Sequence, residues 1–157
     1  MLFWVCWLLT LARTLMPKGK RTIKKIIIHH SASPVSTTVE DIDRWHKARG
    51  WSGIGYHYVC LEDGTIAKGR NINRSGAHTK GFNKDSIGLC VTGNFQDYHC
   101  TKPRFDKLMA FVGELIEKHD LSWDHVYYHK QFGNTACCGH FLIEQLKQYL
   151  KGRRCQC

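Results

Sequence analysis

The sequence predicts an α/β fold: one domain with a central mixed β-sheet of about five strands and helices packed on it. Short runs rich in β-branched residues, Lys24 to His30 and Ser86 to Gly93 foremost, alternate with stretches whose apolar residues recur at helical spacing. An Asp63-Gly64 turn joins two neighbouring runs as a hairpin. The 157 residues fit one domain of ordinary size, with enough apolar side chains for a real core.

Lys-Lys-Ile-Ile-Ile-His-His (24–30) reads as a buried central strand that delivers His29 to a site at its end. After a loop containing Pro34, Thr37-Thr38-Val39-Glu40 supplies a capping box, and Val39, Ile42, Trp45 and His46 keep helical spacing until Gly50. Tyr56 to Leu61 and Thr65 to Arg70 form the hairpin. Asn71 to Lys84 is a long polar, glycine-containing loop of the kind that lines a site, and it holds His78. Pro103 opens a second helix whose face is Phe105, Leu108, Met109, Val112, Leu115 and Ile116. Val126 to His129 is a last strand, and a third helix after Cys138 shows Phe141, Leu142, Leu146 and Leu150 on one side.

The two ends stand apart from the domain, which is placed at 23–150. Residues 1–22 form an apolar then basic extension. Leu2 to Ala12 is too short to span a bilayer, which takes about 20 residues, and matches a signal-peptide core in length. It lacks a basic leader and a small-x-small cleavage site, so export or membrane contact through this segment and a start at Met16 both remain open. Residues 151–157 form a basic tail with Cys155 and Cys157 and no apolar pattern, expected to fray.

A net charge of +10 favours an anionic partner. No basic block is interleaved with aromatics, and no helix-turn-helix, zinc-finger or RNA-binding signature is present, so nucleic acid is not expected. The eight cysteines lack the spacing of a stapled secreted scaffold and read as free thiols or packing residues, Cys60 and Cys90 among them.

Catalytic zinc takes three protein ligands and leaves a fourth place for water. His29, His129 and Cys137 are candidates: two histidines that each end a strand, and a cysteine eight residues after the second. With ten histidines and eight cysteines in the chain, spacing alone leaves open the plainer reading of a packed histidine and a buried thiol. If the first strand alternates, His30 points away from His29 and serves packing or support; His57 opposes Tyr56 in the same way. His78 is read as lining a substrate groove or packing its loop, and Trp45 and Trp51 as core or rim aromatics.

Several blocks together resemble a known family. Ile26-Ile27-Ile28-His29-His30-Ser31-Ala32, Gly55-Tyr56-His57-Tyr58, Asp63-Gly64-Thr65 with Gly69-Arg70, Gly76-Ala77-His78 with Asn83, Ser86-Ile87-Gly88-Leu89, and His129 with Thr135-Ala136-Cys137 are similar, in order and spacing, to the zinc-dependent N-acetylmuramoyl-L-alanine amidases of phages and the peptidoglycan recognition proteins. The resemblance spans Ile23 to Leu150. It implies that fold, zinc (Zn2+) bound by His29, His129 and Cys137, catalytic roles for Tyr56 and Thr135, and cleavage of the amide joining N-acetylmuramic acid to L-alanine in peptidoglycan. It also implies an endolysin-like monomer acting at the cell envelope, periplasmic or extracellular, after any cytoplasmic accumulation. Two positions depart from the pattern. Thr135 stands where the phage enzymes carry lysine, as in the recognition-protein branch, and Cys138 stands where proline is usual and adds a second thiol beside the ligand. A peptidoglycan-binding module without catalysis, or a regulator that binds another protein on the same fold, is the alternative.

Overall fold

The computed structural model describes residues 21–154. In chain order it contains β1 (Lys25–His30), α1 (Val39–Ala48), β2 (Tyr58–Cys60), β3 (Ile66–Lys68), β4 (Ser86–Val91), α2 (Lys102–Lys118), β5 (Val126–Tyr128) and α3 (His140–Arg154). The sheet has the order β3-β2-β4-β1-β5. β1 lies parallel between β4 and β5, β2 is parallel to β4, and β3 closes the edge as the antiparallel arm of the hairpin. The expected mixed five-stranded sheet is therefore the one observed.

Both faces of β1 are covered, which is why its sequence is a run of isoleucines instead of an alternation: Ile26, Ile27 and Ile28 are all fully buried. On one face Ile26, Ile28, Leu89 and Val91 join Leu108 and Val112 of α2 and Leu142 and Leu146 of α3. On the other, Val59 and Cys90 pack beneath Ile42 of α1 and Ile54. The pleat assigns His30 to the larger core, where Phe95 N donates to its Nδ1 at 3.2 Å, and sends His29 to the α1 side. Arg104 of α2 is buried and clamps the ends of β2 and β4, donating to the Cys60 carbonyl at 2.6 Å and to Thr92 Oγ1 at 2.8 Å.

Several sequence expectations need correction in detail. The capping box of α1 sits one residue later than expected, between Thr38 and Asp41, because the Thr37 hydroxyl is taken by the Pro34 carbonyl at 2.7 Å. Contacts extend past both ends of the 23–150 span. Arg21 donates to the carbonyls of Ile72 and Asn83, and α3 runs on through residues 151–154 because Arg154 reaches Asp124 at 3.0 Å and Arg153 lies over the rings of Trp123 and Tyr149. Of the two readings of Trp45 and Trp51, core or rim, the structure takes the rim: both are about two-fifths exposed. Cys60, Cys90, Cys100, Cys137 and Cys138 are free thiols. The Leu2 to Ala12 segment, Cys155 and Cys157 lie outside the described residues, among which no helix is long and apolar enough to cross a membrane.

Candidate metal centre

Three segments meet at the carboxyl ends of β1 and β5. These strands are neighbours in register Ile28 to Tyr128, so His29 and His129, each one step further along, are brought side by side with ring centroids 4.5 Å apart. Cys137 arrives from a loop that returns across the strand ends. Thr135 Oγ1 accepts from Cys137 N at 3.2 Å, Gly139 N closes a turn onto the Ala136 carbonyl at 2.8 Å, and Phe141 N anchors α3 to the Phe95 carbonyl at 3.0 Å. Cys137 Sγ then lies 3.7 Å from His29 Nδ1 and 3.4 Å from the backbone N–H of His30.

One donor atom from each of His29, His129 and Cys137 falls within 4.8 Å of the others, the only such group of three or more metal-binding side chains among the described residues. The set fits zinc. Bond lengths of about 2.0 Å to nitrogen and 2.3 Å to sulfur at a tetrahedral ion put nitrogen and sulfur roughly 3.5 Å apart, near the observed 3.7 Å. His29 is 1% exposed while His129 and Cys137 are half-buried, so the cluster is closed behind and open in front.

The electrostatics suit a cation. A hydrogen bond from the Cys138 thiol, then hydrogen bonds from His129 and His29, hold the Cys137 thiol well below its ordinary value despite burial, making it a thiolate. Burial lowers His29, with the Cys137 thiolate opposing, so its imidazole is held neutral and able to bind metal. Cys138 is no rival ligand: it is fully buried, its sulfur lies 3.1 Å from the Ile28 carbonyl oxygen, and burial raises its value far above normal.

Tyr56 lies on the same face, its ring 5.1 Å from that of His29 and 5.5 Å from that of His46. His46 in turn accepts from Gly55 N at 2.9 Å and stacks on Trp51, which fixes the segment carrying Tyr56. Burial, and behind it the Cys137 thiolate, raise the Tyr56 phenol well above 10, so at neutral pH it is a proton donor. A small cavity of about 80 Å³ opens over it, lined by Ser31, Trp45, His46 and Arg49.

The sequence reads His78 as lining a substrate groove or packing its loop. It sits behind His29, with Nδ1 3.0 Å from His29 Nε2. His57 lies further back and is 1% exposed. Gly88 N donates to its Nδ1 at 3.0 Å, so the ring proton resides on Nε2, facing the Arg74 carbonyl at 3.0 Å. A second proton has no place beside that N–H donor, and burial, with Arg21 and Arg70 nearby, pushes His57 down to about 4.

Folded His57 is depressed below the usual 6.5, so its contribution to stability is complete above 6.5 and is lost as pH falls from there through about 4, where the unfolded chain takes up a proton the folded state refuses. We expect the unfolding free energy of the metal-free protein to drop by about 3 kcal/mol from this group between pH 7 and pH 4. Denaturant titrations across that range should show a flatter profile for His57→Gln. Parallel profiles for the two proteins would refute the assignment.

The sequence assigns no site role to His46, Thr79 or Ser86. Nothing local distinguishes a supporting hydroxyl or helix histidine, since each acquires its role from a partner 8 to 50 residues away.

Comparison with known proteins accords with this geometry. Residues 19–140 match the family model for N-acetylmuramoyl-L-alanine amidase. The endolysin of Enterobacteria phage T3 is 40% identical over 110 residues, covering 66% of this chain and 73% of that protein. Peptidoglycan-recognition protein SC2 of Drosophila melanogaster is 26% identical over 132 residues, 78% of this chain and 72% of that one. Among solved structures, the N-acetylmuramoyl-L-alanine amidase LysC from Clostridium intestinale URNW superposes with a TM-score of 0.76 at 34% identity, covering 83% of this chain and 86% of that chain.

Proposed function

Because the chain belongs to the N-acetylmuramoyl-L-alanine amidase family, we propose that it hydrolyses the amide between N-acetylmuramic acid and L-alanine in bacterial peptidoglycan, using one zinc ion held by His29, His129 and Cys137. The observation that carries this reading is the convergence of those three donors, open on one side. Zinc in such a site supplies a water activated near neutral pH and a Lewis acid for the scissile carbonyl.

The chain's own groups do the rest. His29, kept neutral by burial, and His129 each present a ring nitrogen and Cys137 a thiolate, which together fix one cation and balance part of its charge. Tyr56, kept protonated by burial, donates to the oxygen that becomes negative as the amide carbon turns tetrahedral. The Thr135 oxygen holds the Cys137 loop through Cys137 N, and its hydroxyl proton is a second donor to the same oxygen. Among the described residues no aspartate or glutamate joins the cluster, so proton transfer to the leaving amine is assigned to Tyr56 and solvent. The net charge of +10 draws the protein to anionic wall polymer at the cell envelope.

Likeness to recognition proteins supports a second reading, binding without cleavage; the complete donor trio and Tyr56 favour hydrolysis. Digestion of purified peptidoglycan, scored by newly released L-alanine amino groups, separates the two. Release is expected to stop with a strong chelator and return with added zinc. Undiminished release after chelation would sink the zinc reading, and sedimentation with peptidoglycan but no release under any condition would establish the binding role.

A further inference from the structure

We propose that His78 is a positioning residue that orients His29 as a metal ligand, by accepting a hydrogen bond from its Nε2–H; the inference rests on the zinc reading above. His29 turns Nδ1 toward Cys137 and Nε2 toward His78 Nδ1 at 3.0 Å. An imidazole that gives Nδ1 to a cation must carry its proton on Nε2, so His78 has to present a bare Nδ1. Its own proton then lies on Nε2, which is 3.3 Å from Ser86 Oγ, and that hydroxyl donates onward to the Phe82 carbonyl at 2.6 Å. Each link fixes the proton of the one before it, ending on a backbone carbonyl that can only accept. Thr79 Oγ1, 3.3 Å from His29 Nε2 and 3.0 Å from His78 Nδ1, is the weaker neighbour of the same proton.

The surroundings are built for that ring. A Cβ on Gly76 would lie 2.5 Å from His78 Cδ2, and one on Gly88 would also collide with the ring, so the two glycines together leave the slot it fills. Asn83 Oδ1 accepts from the backbone N–H of both His78 and Thr79 at 2.9 Å, pinning the loop over the slot. A side chain that only filled space would need neither the loop clamp nor a partner at each nitrogen. The sequence signal is Gly76-Ala77-His78 followed by Asn83, Ser86 and Gly88, which marks the slot without saying whose back it supports.

The test compares His78→Asn with His78→Leu. The two replacements have nearly the same shape, but only asparagine keeps an acceptor where Nδ1 stood. Zinc affinity is measured by competition with a chromogenic chelator, alongside the melting temperature of each metal-free protein. We expect the leucine variant to bind zinc about 10 to 100 times more weakly than wild type, and the asparagine variant to recover most of that loss. Equal affinities for the two variants, or a leucine variant within about twofold of wild type, would overturn the proposal. Should the leucine variant fail to fold, Ser86→Ala reads the same chain one bond further out: a loss of about threefold or more in zinc affinity supports the proposal, and unchanged affinity overturns it. Wild type that binds no zinc would instead refute the metal centre itself, so the two failures are distinguishable.

Discussion

Cys137→Ala is expected to lower the rate of amide cleavage by about a thousandfold or more, equivalent to roughly 4 kcal/mol of lost transition-state stabilisation. Of the three donors, Cys137 alone brings a negative charge, and its thiolate is held beside His29 Nδ1 and the His30 N–H. With it gone, two imidazoles remain, one of them on the half-exposed side of the cluster, and two ligands hold zinc far less tightly than three. The check is paired: metal content of the purified variant by elemental analysis, and release of L-alanine amino groups from peptidoglycan. A variant that keeps stoichiometric zinc and more than a tenth of the wild-type rate would show that this cysteine is not a ligand.

Gly139→Ala is expected to cost roughly 3 to 5 kcal/mol of stability and to displace Cys137 as well. Gly139 has φ of +83°, a left-handed conformation that disfavours any side chain by about 1 to 2 kcal/mol. A Cβ there would also lie 2.5 Å from the Phe95 carbonyl oxygen and 2.8 Å from its Cα. Phe95 cannot easily retreat. It is fully buried, its N–H is bound to His30 Nδ1 and its carbonyl to Phe141 N, so overpacking adds a further few kcal/mol. The loop from Ala136 to Gly139 must then shift, and Cys137 with it. Denaturant unfolding of the metal-free protein and chelator competition for zinc should both show the change. Unfolding within about 1 kcal/mol of wild type would mean that the turn tolerates a side chain and does not set the cysteine's place.

These two substitutions touch features of unequal legibility. Cys137 carried no decisive mark of its own. In a chain rich in histidine and cysteine, its spacing from His129 left a buried thiol the plainer reading, and only the ordered blocks of the family pattern selected it. Gly139 gave no warning at all, since the demand on it comes from Phe95, more than forty residues earlier. His29 and His30 were better defined. Their separation follows from the two-residue period of a strand, and the structure sends them to opposite faces as that period requires. His78 shows the limit of such reasoning. A polar loop beside a strand end announces a side chain near the site, but the same loop can approach a ligand from the front, as a groove wall, or from behind, as a support, and local sequence does not distinguish the two.

By itself the sequence determined the elements and their faces: a three-isoleucine strand buried on both sides, amphipathic helices to cover it, and histidines set at its end by the pleat. Tertiary structure alone decided that a thiol 108 residues away would face His29 Nδ1 while His78 took the other nitrogen. The reason is one of range. Periodicity and capping are written within a few residues, whereas the meeting of donors depends on β5 pairing beside β1 and on a loop packed against Phe95, contacts that exist only once the chain has closed on itself.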